Sequence, residues 1–159
     1  RLIVEPGRSL VARAGVALYT VGPRKVIRDG PTLLAVDGGM GDNPRPALYG
    51  ARYHVALANR MHDPVEETVR VVGRYCESGD TLAEAAPLPR TRAGDLLAIP
   101  VSGAYHLPMA SNYNGIPRPA VAFLRAGTAR LVRRRETLED TLRAEVVCAV
   151  EGEDANADN

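Results

Sequence analysis

Short hydrophobic runs with β-branched content or polar alternation recur along the chain and predict a mainly β domain. Turn signals such as Asp37-Gly38-Gly39 and Arg125-Ala126-Gly127 separate these runs. Many short strands at regular spacing favour a β-barrel or β-sandwich. The predicted strands are residues 2–4, 16–21, 32–36, 53–58, 67–73, 95–99, 121–124 and 129–132.

Helical signals are few and short. Residues 9–14 and 44–49 each suit one or two helical turns, and residues 137–142 begin with Thr137 and carry Asp140 three positions later, which resembles a capping box. The pattern predicts one domain over residues 1–150. Residues 151–159 are acidic with almost no apolar content, so we expect a disordered tail.

The composition and charge of the chain argue against two kinds of partner, nucleic acids and membranes. The chain has 159 residues, 45% of them hydrophobic, with 20 basic against 19 acidic residues and a net charge of +1. Such a balance gives no general attraction to nucleic acid or anionic lipid. No apolar run approaches the ~20 residues that span a bilayer. We therefore expect a protein with neither a nucleic-acid nor a membrane partner.

Cysteine and histidine usage points away from disulfides and metals. Cys76 and Cys148 are far apart and form neither a disulfide framework nor metal-ligand spacing, which fits a reducing cytoplasm. His54, His62 and His106 share no spacing, so we assign none to a metal site or to catalysis.

Two loop segments near the start of the chain carry polar residues that a β-barrel does not need for stability. In residues 5–9, Glu5 and Arg8 flank a Pro-Gly turn whose backbone can approach a ligand closely. Arg45 and Tyr49 are four apart and would share one face of a helical turn, where they offer a guanidinium fork and a hydroxyl. A surface turn with an ion pair and an ordered surface loop are the structural alternatives.

Two later segments add a thiol, a carboxylate and a phenol. Cys76 and Glu77 follow a predicted strand, and the nearby acidic residues favour the neutral thiol, which suits a proton donor. Tyr105 follows a glycine and is placed to bind a phosphate or to stack on a ring. A structural cysteine and a tyrosine that caps the barrel remain alternatives.

Taken together and in this order, these segments resemble the C-terminal β-domain of the fold-type III pyridoxal-phosphate decarboxylases, and most closely the diaminopimelate decarboxylase family. The resemblance covers residues 2–145. It rests on the joint occurrence of EPGRSLVARAG, VDGGM with DNPRPALYGARY, CESGD, GAY and MASNYN. It implies the Greek-key-like β-barrel or sandwich that alanine racemase and the group IV decarboxylases share.

The resemblance implies pyridoxal 5′-phosphate as cofactor and meso-diaminopimelate as substrate, converted to L-lysine and CO2. Glu5 matches the carboxylate that faces the pyridine nitrogen. Gly7 and Arg8 match the turn beside the cofactor phosphate, and Tyr105 matches a tyrosine near both phosphate and substrate. Arg8 also matches a residue that reaches the substrate.

The remaining matched residues concern the substrate and the reaction. Arg45 and Tyr49 match the residues that hold the distal end of the substrate, and Glu77 matches the acid that meets its distal amino group. Cys76 matches a proton donor that acts in the partner subunit's site, so the resemblance implies a homodimer with shared active sites. His106-Leu107-Pro108 departs from the smaller, more polar stretch expected there.

Lysine usage raises a question about catalysis. In the family the cofactor forms a Schiff base with a lysine of an N-terminal (β/α)8 barrel, whereas the only lysine here is Lys25, outside every matched segment. We expect this sequence to be a C-terminal piece of a longer enzyme and inactive alone. A related diamino-acid decarboxylase and a stand-alone β-domain that acts as a binding module are the alternatives.

Overall fold

Eight β-strands and three short α-helices make up residues 1–146, the part of the chain that this computed structural model describes. The strands are Val16–Val26 (β1), Thr32–Val36 (β2), Ala56–Leu57 (β3), Glu67–Val72 (β4), Thr81–Leu88 (β5), Leu96–Pro100 (β6), Val121–Arg125 (β7) and Thr128–Arg133 (β8). The α-helices are Arg8–Val11 (α1), Arg45–Tyr49 (α2) and Leu138–Leu142 (α3), and 3-10 turns occupy Ala12–Ala14, Leu107–Met109 and Tyr113–Gly115. The predicted acidic tail, residues 151–159, and Cys148 lie outside the described residues.

Six of the strands form one curled sheet in the order β3-β6-β1-β2-β4-β5. β2 and β4 run parallel, and the other pairs are antiparallel. β7 and β8 form a separate hairpin. The prediction of a mainly β domain with a few short helices is confirmed, and the sheet is an open half-barrel whose edges are β3 and β5.

The core lies on one face of this sheet because alternate side chains of a strand point to opposite faces. In β1, Tyr19 and Val21 are buried, whereas Val16 and Leu18 are 57% and 61% exposed. The buried side chains form one continuous cluster. Its members are Tyr19, Val21, Leu34, Val36, Leu57, Val69, Val71, Leu82, Ala86, Leu88, Leu97 and Ile99.

One strand prediction is wrong, and one strand was missed. Residues 2–4 form no strand and are exposed, since no strand among residues 1–146 pairs with them. β5 was not predicted, because its sequence TLAEAAPL is rich in Ala and contains Pro87. β5 lies at the edge of the sheet, where a proline is tolerated, and it buries Leu82 and Leu88.

Smaller differences concern strand ends and one lysine. The strand predicted over residues 53–58 shrinks to Ala56–Leu57, and β1 extends to Val26. Lys25 therefore lies within β1 and not in a turn, although it is exposed as expected.

The three predicted helical segments all contain helix. α3 begins with a capping box in which the Asp140 amide donates to the Thr137 hydroxyl and the Thr137 amide donates to the Asp140 carboxylate at 2.8 Å. Within residues 1–146, no helix is long and apolar enough to cross a membrane.

Candidate active site

Residues 11–15, which follow the turn at residues 5–8, are held beside the segment that carries Tyr105 by close backbone packing. The Gly103 amide donates to the Ala12 carbonyl at 2.9 Å, and the Ser102 amide donates to the Gly15 carbonyl at 2.9 Å. A β-carbon on Gly103 would lie 2.0 Å from the Val11 carbonyl oxygen, so only glycine allows this approach. The polypeptide before β1 and the polypeptide after β6 are thereby fixed against each other.

Arg45 lies between two tyrosine rings. Its guanidinium carbon is 5.3 Å from the ring centroid of Tyr49 and 5.4 Å from that of Tyr105, which is cation–π distance. The Tyr49 contact confirms that α2 places Arg45 and Tyr49 on one face. A β-carbon on Gly7 would lie 3.9 Å from the Tyr105 hydroxyl oxygen, so Tyr105 also reaches the Pro6-Gly7 turn.

Backbone strain accompanies this arrangement. Tyr105 has a φ of 61°, in the left-handed region that non-glycine residues rarely adopt. Such conformations cost roughly 1–3 kcal/mol and persist where the surrounding structure enforces them. Here the Gly103 bond to Ala12 and the Arg45 contact hold the residue on both sides.

His106 lies beneath this group and is 7% exposed. Its Nδ1 is 3.3 Å from the Ala104 carbonyl oxygen, and its ring meets the Tyr53 ring edge-to-face at 5.4 Å. Burial lowers the pKa of His106 below its usual value, and the positive charges of Arg45 and Arg8 lower it further, against the opposing bond to Ala104. These effects favour the neutral form of the His106 ring.

Several polar groups around these residues have no partner among residues 1–146. His106 Nε2, Arg45 Nε and the Tyr53 hydroxyl are buried without a hydrogen bond. Neither Arg8 nor Arg45 forms a salt bridge within the same residues, although eight other ion pairs are present there. Buried polar groups in folded proteins are normally paired. Two arginines without a protein counter-ion fit an anionic ligand.

Cys76 and Glu77 form a second group. Cys76 is free and exposed. Glu77 is exposed, and its carboxylate accepts a short hydrogen bond from the Tyr113 hydroxyl, which raises the pKa of Tyr113. The Tyr113 ring stacks on Tyr75 with centroids 5.8 Å apart. Tyr113 thus restrains the loop that carries the thiol.

The structure brings together some of the predicted site residues and leaves others apart. Gly7, Tyr105, Arg45 and Tyr49 are joined by the contacts above, and Arg8 follows Gly7 directly in the chain. Cys76 and Glu77 contact none of them through a hydrogen bond, salt bridge or aromatic contact within residues 1–146. Glu5 is exposed and makes no salt bridge in that range.

Three contributing residues were missed. Tyr113 lies in MASNYN, and Asp80, whose carboxylate accepts from the Tyr75 amide at 2.8 Å, ends CESGD, so membership of these two segments was the available signal. His106 was assigned no role, because nothing in its spacing reveals burial against Tyr53. No group of three or more potential metal ligands is found within residues 1–146.

A model of the pyridoxal-dependent decarboxylases, C-terminal sheet domain, matches residues 10–103, which is more than half of the chain. The chain belongs to this family. The match includes α2 and the CESGD segment, and it ends at Gly103, just before Tyr105.

Three of the relatives that match this chain are named diaminopimelate decarboxylase. The chain is 58% identical over 152 residues to diaminopimelate decarboxylase of Actinosynnema pretiosum subsp. auranticum, covering 92% of this chain and 33% of that protein. It is 52% identical to diaminopimelate decarboxylase of Synechocystis sp., covering 90% and 30%. The solved diaminopimelate decarboxylase of M. jannaschii in complex with L-lysine superposes with a TM-score of 0.85 at 37% identity, covering 91% and 32%. The chain spans about a third of the length of these relatives.

Proposed function

We propose that this chain is the C-terminal domain of a pyridoxal 5′-phosphate-dependent diaminopimelate decarboxylase, which converts meso-diaminopimelate to L-lysine and CO2. One observation carries the proposal: the Arg45 guanidinium lies between Tyr49 and Tyr105, and Tyr105 reaches the Gly7 turn. Three segments that are distant in sequence therefore form one cationic surface. Relatives named diaminopimelate decarboxylase support the assignment.

The residues present fit the cofactor. A phosphate needs cationic and hydrogen-bonding groups beside a backbone that can approach it closely. Arg8, the Tyr105 hydroxyl and the Gly7 turn supply these, and Arg8 has no protein counter-ion within residues 1–146. When bound, the cofactor supplies an electron sink for the pair left behind by the departing carboxylate. Glu5 would face the pyridine nitrogen and keep it protonated.

The substrate carries two carboxylates and two ammonium groups, so it requires both guanidinium and carboxylate partners. Arg45 would hold the distal carboxylate, oriented by the rings of Tyr49 and Tyr105, and Arg8 would also contact substrate. Glu77 would meet the distal ammonium group. Because Tyr113 donates to Glu77, that carboxylate is already directed before a ligand arrives.

Protonation completes the proposed reaction. The bond between the α-carbon and the carboxylate carbon breaks, CO2 leaves, and the thiol of Cys76 donates a proton to the α-carbon. Cys76 then regains a proton from solvent. Since Cys76 is exposed and lies in a group separate from Arg45, we propose that it acts in the site of a second subunit, which makes the enzyme a homodimer.

The test is a chimera in which this chain replaces the C-terminal domain of the Actinosynnema pretiosum relative. We expect L-lysine and CO2 from meso-diaminopimelate, a loss of at least 100-fold in kcat for Cys76→Ala, and unchanged kcat for the matched control Cys148→Ala. A folded, dimeric, cofactor-loaded chimera without this activity would refute the proposal and favour a binding module. Preference for ornithine or arginine would assign the chain to a related decarboxylase.

A further inference from the structure

We propose that Asp80 is a positioning residue that ties the loop carrying Cys76 and Glu77 to the loop that leads into Arg45. Its importance for catalysis rests on the proposed function, whereas the tie itself is a property of this domain. Asp80 is 3% exposed and makes no salt bridge within residues 1–146. Its charge is therefore stabilised by hydrogen bonds alone.

Each oxygen of the Asp80 carboxylate serves a different loop. Oδ1 accepts from the Met40 amide at 2.7 Å, and Oδ2 accepts from the Tyr75 amide at 2.8 Å. Met40 precedes α2 by five residues, and Tyr75 directly precedes Cys76. A carboxylate accepts with both oxygens, whereas an amide side chain accepts with only one. Asparagine would satisfy one loop and present an N–H to the other.

Two glycines allow this approach. A β-carbon on Gly39 would lie 2.5 Å from Asp80 Oδ1, and one on Gly73 would lie 2.2 Å from Oδ2. The backbones at Gly39 and Gly73 therefore pack tightly against the Asp80 carboxylate, each from a different segment of the chain. The Gly73 amide also donates to the Asp80 carbonyl at 2.9 Å. This packing leaves Asp80 little room to move independently of either loop.

The path from Met40 to Arg45 is held by further bonds. The Asp42 carboxylate accepts from the Gly39 amide at 2.8 Å and from the Tyr19 hydroxyl at 2.6 Å. The Asn43 amide donates to the Gly39 carbonyl, and α2 begins immediately after Pro44. A displacement at Met40 is thus transmitted to the first residue of α2.

The surroundings of Asp80 shift the pKa of its carboxyl, and NMR can follow this titration at the amides that the carboxylate binds. Burial raises the pKa of the Asp80 carboxyl, the bonds from Tyr75 and Met40 oppose the rise, and the negative charges of Asp42 and Glu77 add to it. Protonation of Asp80 removes the charge from both hydrogen bonds at once. The amides of Met40 and Tyr75, 35 positions apart, should then respond to a single titration.

The experiment is ¹⁵N NMR on the 159-residue chain, comparing Asp80→Asn with the control Glu84→Gln, four residues later on β5. We expect Asp80→Asn to shift the amides of residues 40–43, 45, 47–49 and 75–77 together and to raise the alkylation rate of Cys76 about threefold or more in a Cys148→Ser background. Val71 and Leu97 amides, which report the core, should stay in place. Shifts confined to residues 73–81, or equal shifts in Glu84→Gln, would overturn the proposal.

A pH titration keeps the proposal testable if Asp80→Asn does not fold. In the unaltered chain and in Asp42→Asn, the Met40 and Tyr75 amides should share one midpoint above the ordinary Asp value. Separate midpoints, or loss of the joint transition in Asp42→Asn, would overturn it. Because none of these measurements uses activity, their failure is distinguishable from failure of the proposed function.

Discussion

Arg45 and Tyr105 are 60 positions apart in sequence, yet the guanidinium carbon lies 5.4 Å from the ring centroid. A cation over an aromatic face gains roughly 0.5–2 kcal/mol, depending on how far it is removed from water. The contact therefore orients Arg45 without neutralising it. A neutral orienting partner leaves the full positive charge available to a ligand.

The first prediction separates the ring of Tyr105 from its hydroxyl. In the chimeric enzyme, Tyr105→Phe keeps the ring over Arg45 and should raise the cofactor Kd while changing the KM for meso-diaminopimelate less than about threefold. Tyr105→Ala removes both and should raise the KM by about tenfold, which corresponds to ~1.4 kcal/mol. Equal KM values for the two variants would contradict the orienting role.

The second prediction concerns the shared site. A chimera with Cys76→Ala is mixed by co-expression with a chimera whose barrel lysine is replaced by alanine. Each homodimer is inactive, but a heterodimer contains one intact site if Cys76 acts across the interface. Equal expression should then restore about a quarter of the unaltered kcat per site. Lack of recovery in verified heterodimers would place Cys76 in its own subunit's site.

The third prediction concerns Lys25. Lys25 lies nine residues along β1 from Val16, so it is about 30 Å from the end of the strand that packs near Gly103. Borohydride reduction of the 159-residue chain with pyridoxal phosphate should leave no cofactor at Lys25 beyond the level seen with a surface-lysine peptide. Stoichiometric labelling of Lys25 by mass spectrometry would contradict this expectation.

The fourth prediction concerns pH and Glu136. Its carboxylate accepts from the Arg118 side chain at 2.7 Å, from the Asn112 side chain at 2.7 Å and from the Arg118 backbone amide at 2.9 Å, which lowers the pKa of Glu136 to about 2. A pKa lowered on folding stabilises the folded state above the unfolded value, near 4.5, and this stabilisation is lost as pH falls toward 2. The Tm difference between the unaltered chain and Glu136→Gln should therefore be largest near pH 7 and shrink below about 4.5. A difference independent of pH would contradict this account.

The fifth prediction concerns the glycine beneath Tyr105. Gly103→Ala places a β-carbon 2.0 Å from the Val11 carbonyl oxygen and should lower the free energy of unfolding by roughly 1–3 kcal/mol. Gly79→Ala is a matched control, since a β-carbon there meets nothing within 4 Å. Urea denaturation of both variants measures the difference. Equal stabilities would show that the backbone crossing at Gly103 is not tight.

Local sequence signals predicted the elements whose own residues determine them. Thr137 and Asp140 hydrogen-bond to each other's backbone within one turn, so the local sequence predicted their capping box. The sequence also predicted β2, which has β-branched content and is flanked by turn signals. The local sequence could not predict β5, because an Ala-rich segment forms a strand only when it pairs with β4. Residues 2–4 are the opposite case: their apolar content predicted a strand, but they form none because no strand among residues 1–146 pairs with them.

The contacts in the candidate site also fall into two groups, those that local sequence spacing predicts and those that depend on distant segments. Arg45 and Tyr49 were predicted to share a face because helical spacing brings positions four apart together. The contact of Arg45 with Tyr105 depends on two loops from opposite sides of β1 and on the strained backbone of Tyr105. Asp80 and His106 owe their surroundings to burial by distant segments, which local spacing cannot reveal.

The parallel pairing of β2 with β4 makes the segment between them indispensable to the topology. Parallel neighbours cannot be joined by a tight turn, because the chain must return to the same end of the sheet. Residues 37–66, which include Arg45 and Tyr49, are that return. Deleting them in favour of a hairpin would reverse the direction of β4, so a shortened version of this domain cannot discard the loop that carries Arg45 and Tyr49 and keep its sheet.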